Sequence, residues 1–298
     1  MTKKTNSIDL KPLQNAPWVL AILPMRIGST RIKTKMSQMI GSQSLAERSL
    51  ERALTAFKNT SQVCVCIAVD DLKLAQTLEK KFPAAKVILT SPEIPTGTDR
   101  VFTASIEFLK SIPQEQQKNL KGVLNIQGDM PFMDPEGLKK IADFFLESDE
   151  TTLNQFPMAT LAQEWPTDQN YKEKSAVKVI SNRQGGAIYF SRLPIPYGRE
   201  KIPTPKKQID NSPLRQLHLG VYGYTPQALA RFCAQAPTHL ELAEGLEQLR
   251  ALYLGLQILV IPIDTNSKFS WRGIDVPADL SWAKRQASRL GKFSKTKS

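Results

Sequence analysis

WVLAILPMRIGSTRIKTK, residues 18 to 35, joins an apolar run to a basic loop built around one glycine. Trp18 to Leu23 is apolar at every position, so both faces of the segment need cover. That is the pattern of a strand in a buried parallel sheet. VCVCIAV, Val63 to Val69, repeats it. Between the two, QSLAERSLERALTAF carries Leu45, Leu50, Ala53 and Phe57 at helical spacing. Strand, helix, strand predicts a right-handed parallel crossover. The alternation continues with a helix over Leu72 to Phe82, a short strand in KVILT and a helix from Arg100 to Leu109. A buried strand at Gly122 to Ile126 then leads into DPEGLKKIADFFLES, where Asp134 suits a cap and Pro135 the first helical position.

The second half reads differently. SAVKVI and GAIYF are short strands flanking a turn with Asn182, Gly185 and Gly186. Residues 194–216 are rich in Pro and Lys and read as a long exposed loop. LHLGVYGY is a strand with Leu217, Leu219 and Val221 on one face and His218, Tyr222 and Tyr224 on the other. THLELAEGLEQLRALYLG is expected as one helix packed through Leu242, Leu246, Leu249 and Tyr253. LQILVIPI is a last strand, and PADLSWAKRQASRL a last helix with Pro277 near its start. The body is therefore expected as one α/β domain over residues 18–290, a Rossmann-like, mostly parallel sheet with a smaller β-rich insertion at 155–225. Residues 1–17 and 291–298 are expected as flexible tails.

The chain has 298 residues, enough for a large buried core, and a net charge of +12. Such an excess suits phosphate-bearing partners, nucleic acid or an anionic surface. No element clusters Arg with aromatics at nucleic-acid-binding spacing, so specific nucleic-acid binding is not expected. Cys64, Cys66 and Cys233 form no CxxC pair and read as core-packing thiols of a reducing compartment. The apolar run at the N-terminal side is too short for a signal core or a span, so a cytoplasmic protein without membrane insertion is expected.

Open α/β sheets bind ligands beyond the carboxyl ends of their strands. RIGSTRIKTK, Arg26 to Lys35, lies there, with Gly28 and Ser29 permitting a tight turn and Arg26, Arg31 and Lys35 supplying charge. It is neither a Walker A loop nor a dinucleotide fingerprint, and a plain basic loop is the competing reading. NIQGDMP, Asn125 to Pro131, ends a strand in Gln127, Gly128 and Asp129, where a carboxylate suits Mg²⁺ bridging substrate phosphates. AVDD ends another strand in Asp70 and Asp71, of which Asp71 suits a helix cap. PTGTDR sets Thr98 as a candidate cap and Arg100 in the first turn, where a cation gains nothing from the helix dipole. Asp275, in WRGIDVPADL, is either the cap of the last helix or a second metal ligand.

Together these blocks resemble the 3-deoxy-manno-octulosonate cytidylyltransferases, the CMP-Kdo synthetases. The resemblance is carried by LPMRIGSTR with Lys35, AVDD, TGTDR, NIQGDMP, SAVKVI, AIYFSRLPIP, HLGVYGY, LEQLR and GIDVPADL, in the family's order over about residues 18 to 285. It implies a nucleotidyltransferase α/β fold, a homodimer, and attack of a sugar acid's anomeric hydroxyl on the α-phosphate of CTP. The products would be pyrophosphate and a CMP-sugar for lipopolysaccharide biosynthesis. Carried over by position, Arg26, Ser29, Arg31, Lys35, Asp70, Arg100 and Gln127 would hold the nucleotide. Asp129 and Asp275 would hold Mg²⁺. His218, Tyr222, Glu247 and Gln248 would hold the sugar, the insertion at 155–225 serving sugar binding or dimerisation. Arg26, Lys35, Asp129 and Asp275 would be the catalytic groups. The bland reading of Glu247 and Gln248 is a solvent-facing pair beside the helix stripe. The chain departs from the family pattern at Met25, Lys33, Thr34, Met130, Leu217 and Leu242. Those departures leave open a different sugar acid (sialate-like or amino-Kdo) or a noncatalytic nucleotide-binding homologue.

Overall fold

The computed structural model describes residues 16–28, 31–166, 169–198, 215–264 and 269–295, with side chains to residue 289. Ser29 and most of the Lys- and Pro-rich segment (199–214) lie outside the described residues. So do the tails apart from their inner ends. The chain forms two compact units, Met1–Leu146 with Lys268–Ser298, and Glu147–Ser267.

The first unit runs β1 (Trp18–Met25), a short antiparallel pair β2 (Met39–Ile40) and β3 (Gln43–Ser44), α1 (Leu45–Phe57), β4 (Val63–Val69), α2 (Leu72–Lys81) and β5 (Lys86–Leu89). It continues with α3 (Gly97–Lys110), α4 (Gln114–Gln117), β6 (Leu120–Asn125) and α5 (Pro135–Glu147). Its strands pair β6–β1–β4–β5, every pair parallel. Trp18 to Leu23 are fully buried, as two covered faces require. Trp18 donates its indole N–H to Gln116 O at 2.7 Å and stacks obliquely on Phe108. α1 starts on a reciprocal capping box, Ser44 with Glu47, and α2 on Asp71, whose carboxylate accepts from Leu74 N at 2.6 Å. Because β1, β4 and β6 run the same way, the loops after Met25, Val69 and Asn125 leave one edge of the sheet together.

The second unit holds α6 (Glu150–Gln155), β7 (Met158–Glu164), β8 (Lys178–Ser181), β9 (Ala187–Ser191), β10 (Gln216–Tyr224), α7 (Pro226–Cys233), α8 (His239–Glu244), α9 (Gln248–Tyr253) and β11 (Ile258–Ile263). Its sheet is mixed: β11 pairs parallel to β7, while β7–β10, β10–β8 and β8–β9 are antiparallel. Lys178 is fully buried here, its ammonium donating to the carbonyls of Glu173, Ala176 and Arg192 at 2.6, 2.8 and 2.9 Å. One expectation fails in this unit. The segment 238–255 is two short helices, because Gly245 adopts φ +62° and ends α8. The change of direction breaks the stripe: Leu246 and Leu249 are buried, whereas Leu242 and Tyr253 are largely exposed. The last helix, α10 (Pro277–Lys295), belongs to the first unit. Among the described residues no helix is long and apolar enough to cross a membrane.

Candidate active site

The loops beyond β1 and β6 enclose a cavity of about 410 Å³ within the first unit, a volume suited to a small-molecule ligand. Arg26, Arg31, Lys35, Gln127, Asp129 and Asp275 contribute to its wall. Arg26 and Arg31 are exposed, and Arg26 Nη1 donates to Pro95 O at 3.0 Å. Gly128 explains how the acidic side comes so close to β1. A Cβ there would lie 2.6 Å from Pro24 O and 2.8 Å from Met25 Cγ, so only glycine lets this turn pack on the strand end.

The centre of the cavity is an ionic triplet. Lys35 Nζ donates to Asp129 Oδ2 at 2.7 Å and to Asp275 Oδ1 at 3.2 Å. Burial alone would lower the lysine's pKa, but its two carboxylate partners outweigh that and hold it above the ordinary value. Burial pushes the Asp129 carboxyl up, with Lys35 opposing only in part. The two aspartates come from segments more than 140 positions apart, joined by a backbone bond from Ile274 N to Asp129 O at 3.1 Å. A Cβ on Gly273 would sit 3.6 Å from Asp129 Oδ1 and 3.6 Å from Asp275 Oδ2, so a small gap stands open between the carboxylates.

This pair fits a hard divalent cation. It offers only oxygen donors, and a lysine cation already bridges it. Mg²⁺ takes one or two protein carboxylates, with water and substrate phosphate completing its octahedron. Among the described residues no group of three or more His, Cys, Asp and Glu could hold a metal by itself. The donor set therefore fits a cation that arrives with substrate oxygens, not a permanently caged one.

Asp70 and Arg100 stand one layer back from the wall. Asp70 Oδ1 accepts from Ile27 N at 2.9 Å, and its Oδ2 from Arg100 Nη2 at 3.2 Å. Arg100 is fully buried and also donates to Thr90 Oγ1, while its Nε has no hydrogen-bond partner. The pair thus anchors the backbone of the basic loop to the start of α3. The cap of α3 is Thr96, whose hydroxyl accepts from Asp99 N at 3.1 Å. Thr98 lies inside the helix, buried, and accepts from Asn125 Nδ2 at 3.3 Å. The cap therefore falls two residues earlier than the expected Thr98. Asp275 is not the cap of α10 either: the first turn closes on Val276 O, and Asp279, unremarked in the sequence reading, accepts from Asp275 N and Val276 N, both at 3.0 Å. It stands three residues after Val276, the spacing of the acidic partner in a capping box, which was the available signal.

The second unit gathers the remaining candidates. His218 and Tyr222 follow one another along β10 with ring centroids 5.3 Å apart, and Phe190 meets His218 edge-on at 5.0 Å. Thr160 gives its single hydroxyl proton to Val221 O at 2.7 Å. It must therefore accept from His218 Nε2 at 3.0 Å, which leaves Nδ1 as the acceptor of a neutral ring. Burial drops the His218 pKa to about 3 and raises that of Tyr222 well above its ordinary value. Glu247 is half-buried at the start of α9. Gln248 is buried rather than solvent-facing, and its Nε2 has no hydrogen-bond partner. A buried amide donor left without a partner calls for a polar ligand or water.

The sequence profile of the cytidylyltransferase family matches residues 20–258. A 3-deoxy-manno-octulosonate cytidylyltransferase of Rickettsia bellii is 36% identical over 265 residues, 89% of this chain and 94% of the relative. Its counterpart from Polynucleobacter asymbioticus is 35% identical over the same shares of each chain. The solved structure of a CMP:2-keto-3-deoxy-manno-octonic acid synthetase complexed with CTP superposes with a TM-score of 0.73 at 26% identity, covering 92% of this chain and 99% of that one.

Proposed function

The chain belongs to the 3-deoxy-manno-octulosonate cytidylyltransferase family, with its Rossmann-like nucleotidyltransferase fold, and from that premise we propose that it joins CTP to a 2-keto-3-deoxy sugar acid, releasing pyrophosphate. The observation that carries the reading is the bridging of Asp129 and Asp275 by one cation, Lys35 Nζ, inside a basic cavity. Arg26, Ser29, Arg31 and Lys35 are the groups proposed to hold the triphosphate, with Gln127 beside the nucleotide and Asp70 and Arg100 supporting the loop. Asp129 and Asp275 would hold Mg²⁺, which when bound supplies Lewis-acid polarisation of phosphoryl oxygens. From the second unit, His218, Tyr222, Glu247 and Gln248 are the proposed sugar contacts. His218, fixed with Nδ1 as acceptor, suits a hydroxyl donor, and the orphaned Gln248 amide suits an oxygen acceptor.

No side-chain nucleophile is required. The anomeric hydroxyl of the sugar, its proton passing to water, attacks the α-phosphorus, the bond to the β-phosphate oxygen breaks, and pyrophosphate leaves with its electron pair. Arg26, Arg31 and Lys35 would neutralise charge gathering on the departing group, the kind of fixed electrostatic stabilisation that dominates such reactions. Kdo as the acceptor, supply to lipopolysaccharide assembly and a homodimeric form are the finer parts of the same proposal.

The test is pyrophosphate release from CTP with a panel of octulosonic and nonulosonic acids, with and without Mg²⁺. One acid of the 2-keto-3-deoxy class should support metal-dependent turnover. Asp129→Asn should lower that turnover roughly 10²-fold or more, the scale of losing a key transition-state contact. Turnover with none of the acids, or undiminished turnover in a folded Asp129→Asn, would refute the reading.

A further inference from the structure

An aspartate just ahead of a helix ordinarily spends its carboxylate on the free N–H groups of the first turn. Before α10 that position falls to Val276, whose carbonyl accepts from Asp279 N and Leu280 N; Asp275 precedes it, and its carboxylate points to Lys35. Val276 has no side-chain oxygen, and Asp279, in the first turn, reaches backward to the entering backbone. Its Oδ2 accepts from Asp275 N and Val276 N, both at 3.0 Å, while its Oδ1 accepts from Arg272 Nε at 2.9 Å and Nη2 at 2.6 Å. Asp279 is buried. The Arg272 guanidinium lies 5.1 Å over the Trp282 ring, which meets Phe132 edge-on at 5.6 Å. Phe132 O in turn accepts from Ser270 N at 2.8 Å, so the turn carrying Asp275 is tied to the segment carrying Asp129.

We propose that the Arg272–Asp279 pair is a positioning device for the cation-holding carboxylates: it holds the backbone N–H groups of Asp275 and Val276, aims the Asp275 carboxylate toward Asp129, and fixes their separation. The inference rests on the reading of Asp129 and Asp275 as metal ligands. Neither Arg272 nor Asp279 is among the residues lining the cavity, so both act through Asp275. A plain helix cap would govern stability alone. An outer partner of a ligand typically governs metal affinity or activity by 10- to 100-fold.

The full chain should be titrated with Mn²⁺ in the presence of CTP, bound metal being followed by electron paramagnetic resonance against a CTP-only control. Thermal melting and steady-state pyrophosphate release should be recorded alongside. Asp279→Ala should weaken protein-dependent Mn²⁺ binding by roughly 10- to 100-fold and lower kcat while leaving KM for CTP near its original value. Asp279→Asn, which keeps one oxygen for the two backbone N–H groups, should recover part of the lost affinity. Wild-type Mn²⁺ affinity in folded Asp279→Ala overturns the proposal. If that variant does not fold, Arg272→Gln, which leaves the cap in place, decides: weakened binding supports the device and unchanged binding overturns it. Loss of the catalytic reading is separately visible. Mn²⁺ binding abolished by Asp275→Asn, with no pyrophosphate from any sugar acid, would remove the reaction while the variant comparison still stands. Absence of protein-dependent Mn²⁺ binding in the unaltered chain overturns the inference outright.

Discussion

The Lys35 ammonium holds Asp129 Oδ2 and Asp275 Oδ1, so a divalent ion on this pair would take the lysine's place or use Asp129 Oδ1 and Asp275 Oδ2, on the Gly273 side. The lysine side chain is mostly buried and its pKa is raised by its partners, so it acts as a built-in counter-ion that keeps two carboxylates side by side. Gly273 shows what the gap between them is worth. A methyl group there would meet both carboxylates at 3.6 Å, an ordinary contact, and would meet no backbone. Gly273→Ala should therefore fold and melt as the unaltered chain does, yet lose roughly tenfold or more in Mg²⁺-dependent turnover, the loss tracking a raised Mg²⁺ requirement. A Mg²⁺ titration of the rate beside a melting curve checks it, and unchanged metal dependence would refute the cation's position. Reading the sequence located both aspartates without showing that they meet. Only the turn at Gly128 and the bond from Ile274 N to Asp129 O bring them together, and neither is periodic in the sequence.

At the scale of elements, Lys35 opens a single 3₁₀ turn, Lys35–Ser37, and the residue before it is strained. Thr34 has φ +48° and ψ +45°, a left-handed conformation that a β-branched side chain adopts rarely. It is exposed and its hydroxyl bonds only its neighbour, Lys33 O, at 2.8 Å. Relief of the left-handed conformation is worth about 1–2 kcal/mol and the extra freedom of an unfolded glycine takes back part of it, so Thr34→Gly should stabilise the chain by about 1 kcal/mol. Urea unfolding measures this, and a destabilised variant would show that the turn depends on the threonine side chain. The strands and the long helices were legible because burial on two faces and 3.6-residue spacing leave a direct trace in composition. What was not legible depends on backbone sign and on competing caps. Gly245 broke a helix whose apolar spacing looked continuous, Thr96 displaced Thr98, and Asp275 turned its carboxylate to Lys35 instead of to the start of α10. In each case more than one local arrangement was chemically eligible, and contacts in the fold chose between them. At Gly245 the choice is held by Arg192, which donates to Glu244 O at 2.7 Å and Gly245 O at 3.1 Å.

For the whole molecule, acid is the condition under which a basic chain is most exposed, since each carboxylate that protonates adds to a net charge already at +12. His218 makes a separable contribution. In the folded chain it is neutral down to a pKa of about 3, held there by burial among Thr160, Phe190 and Tyr222; unfolded, it takes its proton near the ordinary 6.5. The unfolded state therefore binds the extra proton throughout that interval. The stability this group confers is complete above about pH 6.5 and falls as the pH drops toward 3, by at most about 1.4 kcal/mol per pH unit. Between pH 7 and pH 5 the loss should reach about 2 kcal/mol. His218→Gln, which cannot titrate, should lose less over the same interval by that amount, even if it starts less stable for want of the Thr160 bond. Urea midpoints for both proteins at several pH values isolate the difference, because the carboxylates are common to the two. Parallel curves would mean that the imidazole reaches solvent and titrates normally in the fold. A ring so exposed would also lose the fixed tautomer that suits it to accept from a sugar hydroxyl.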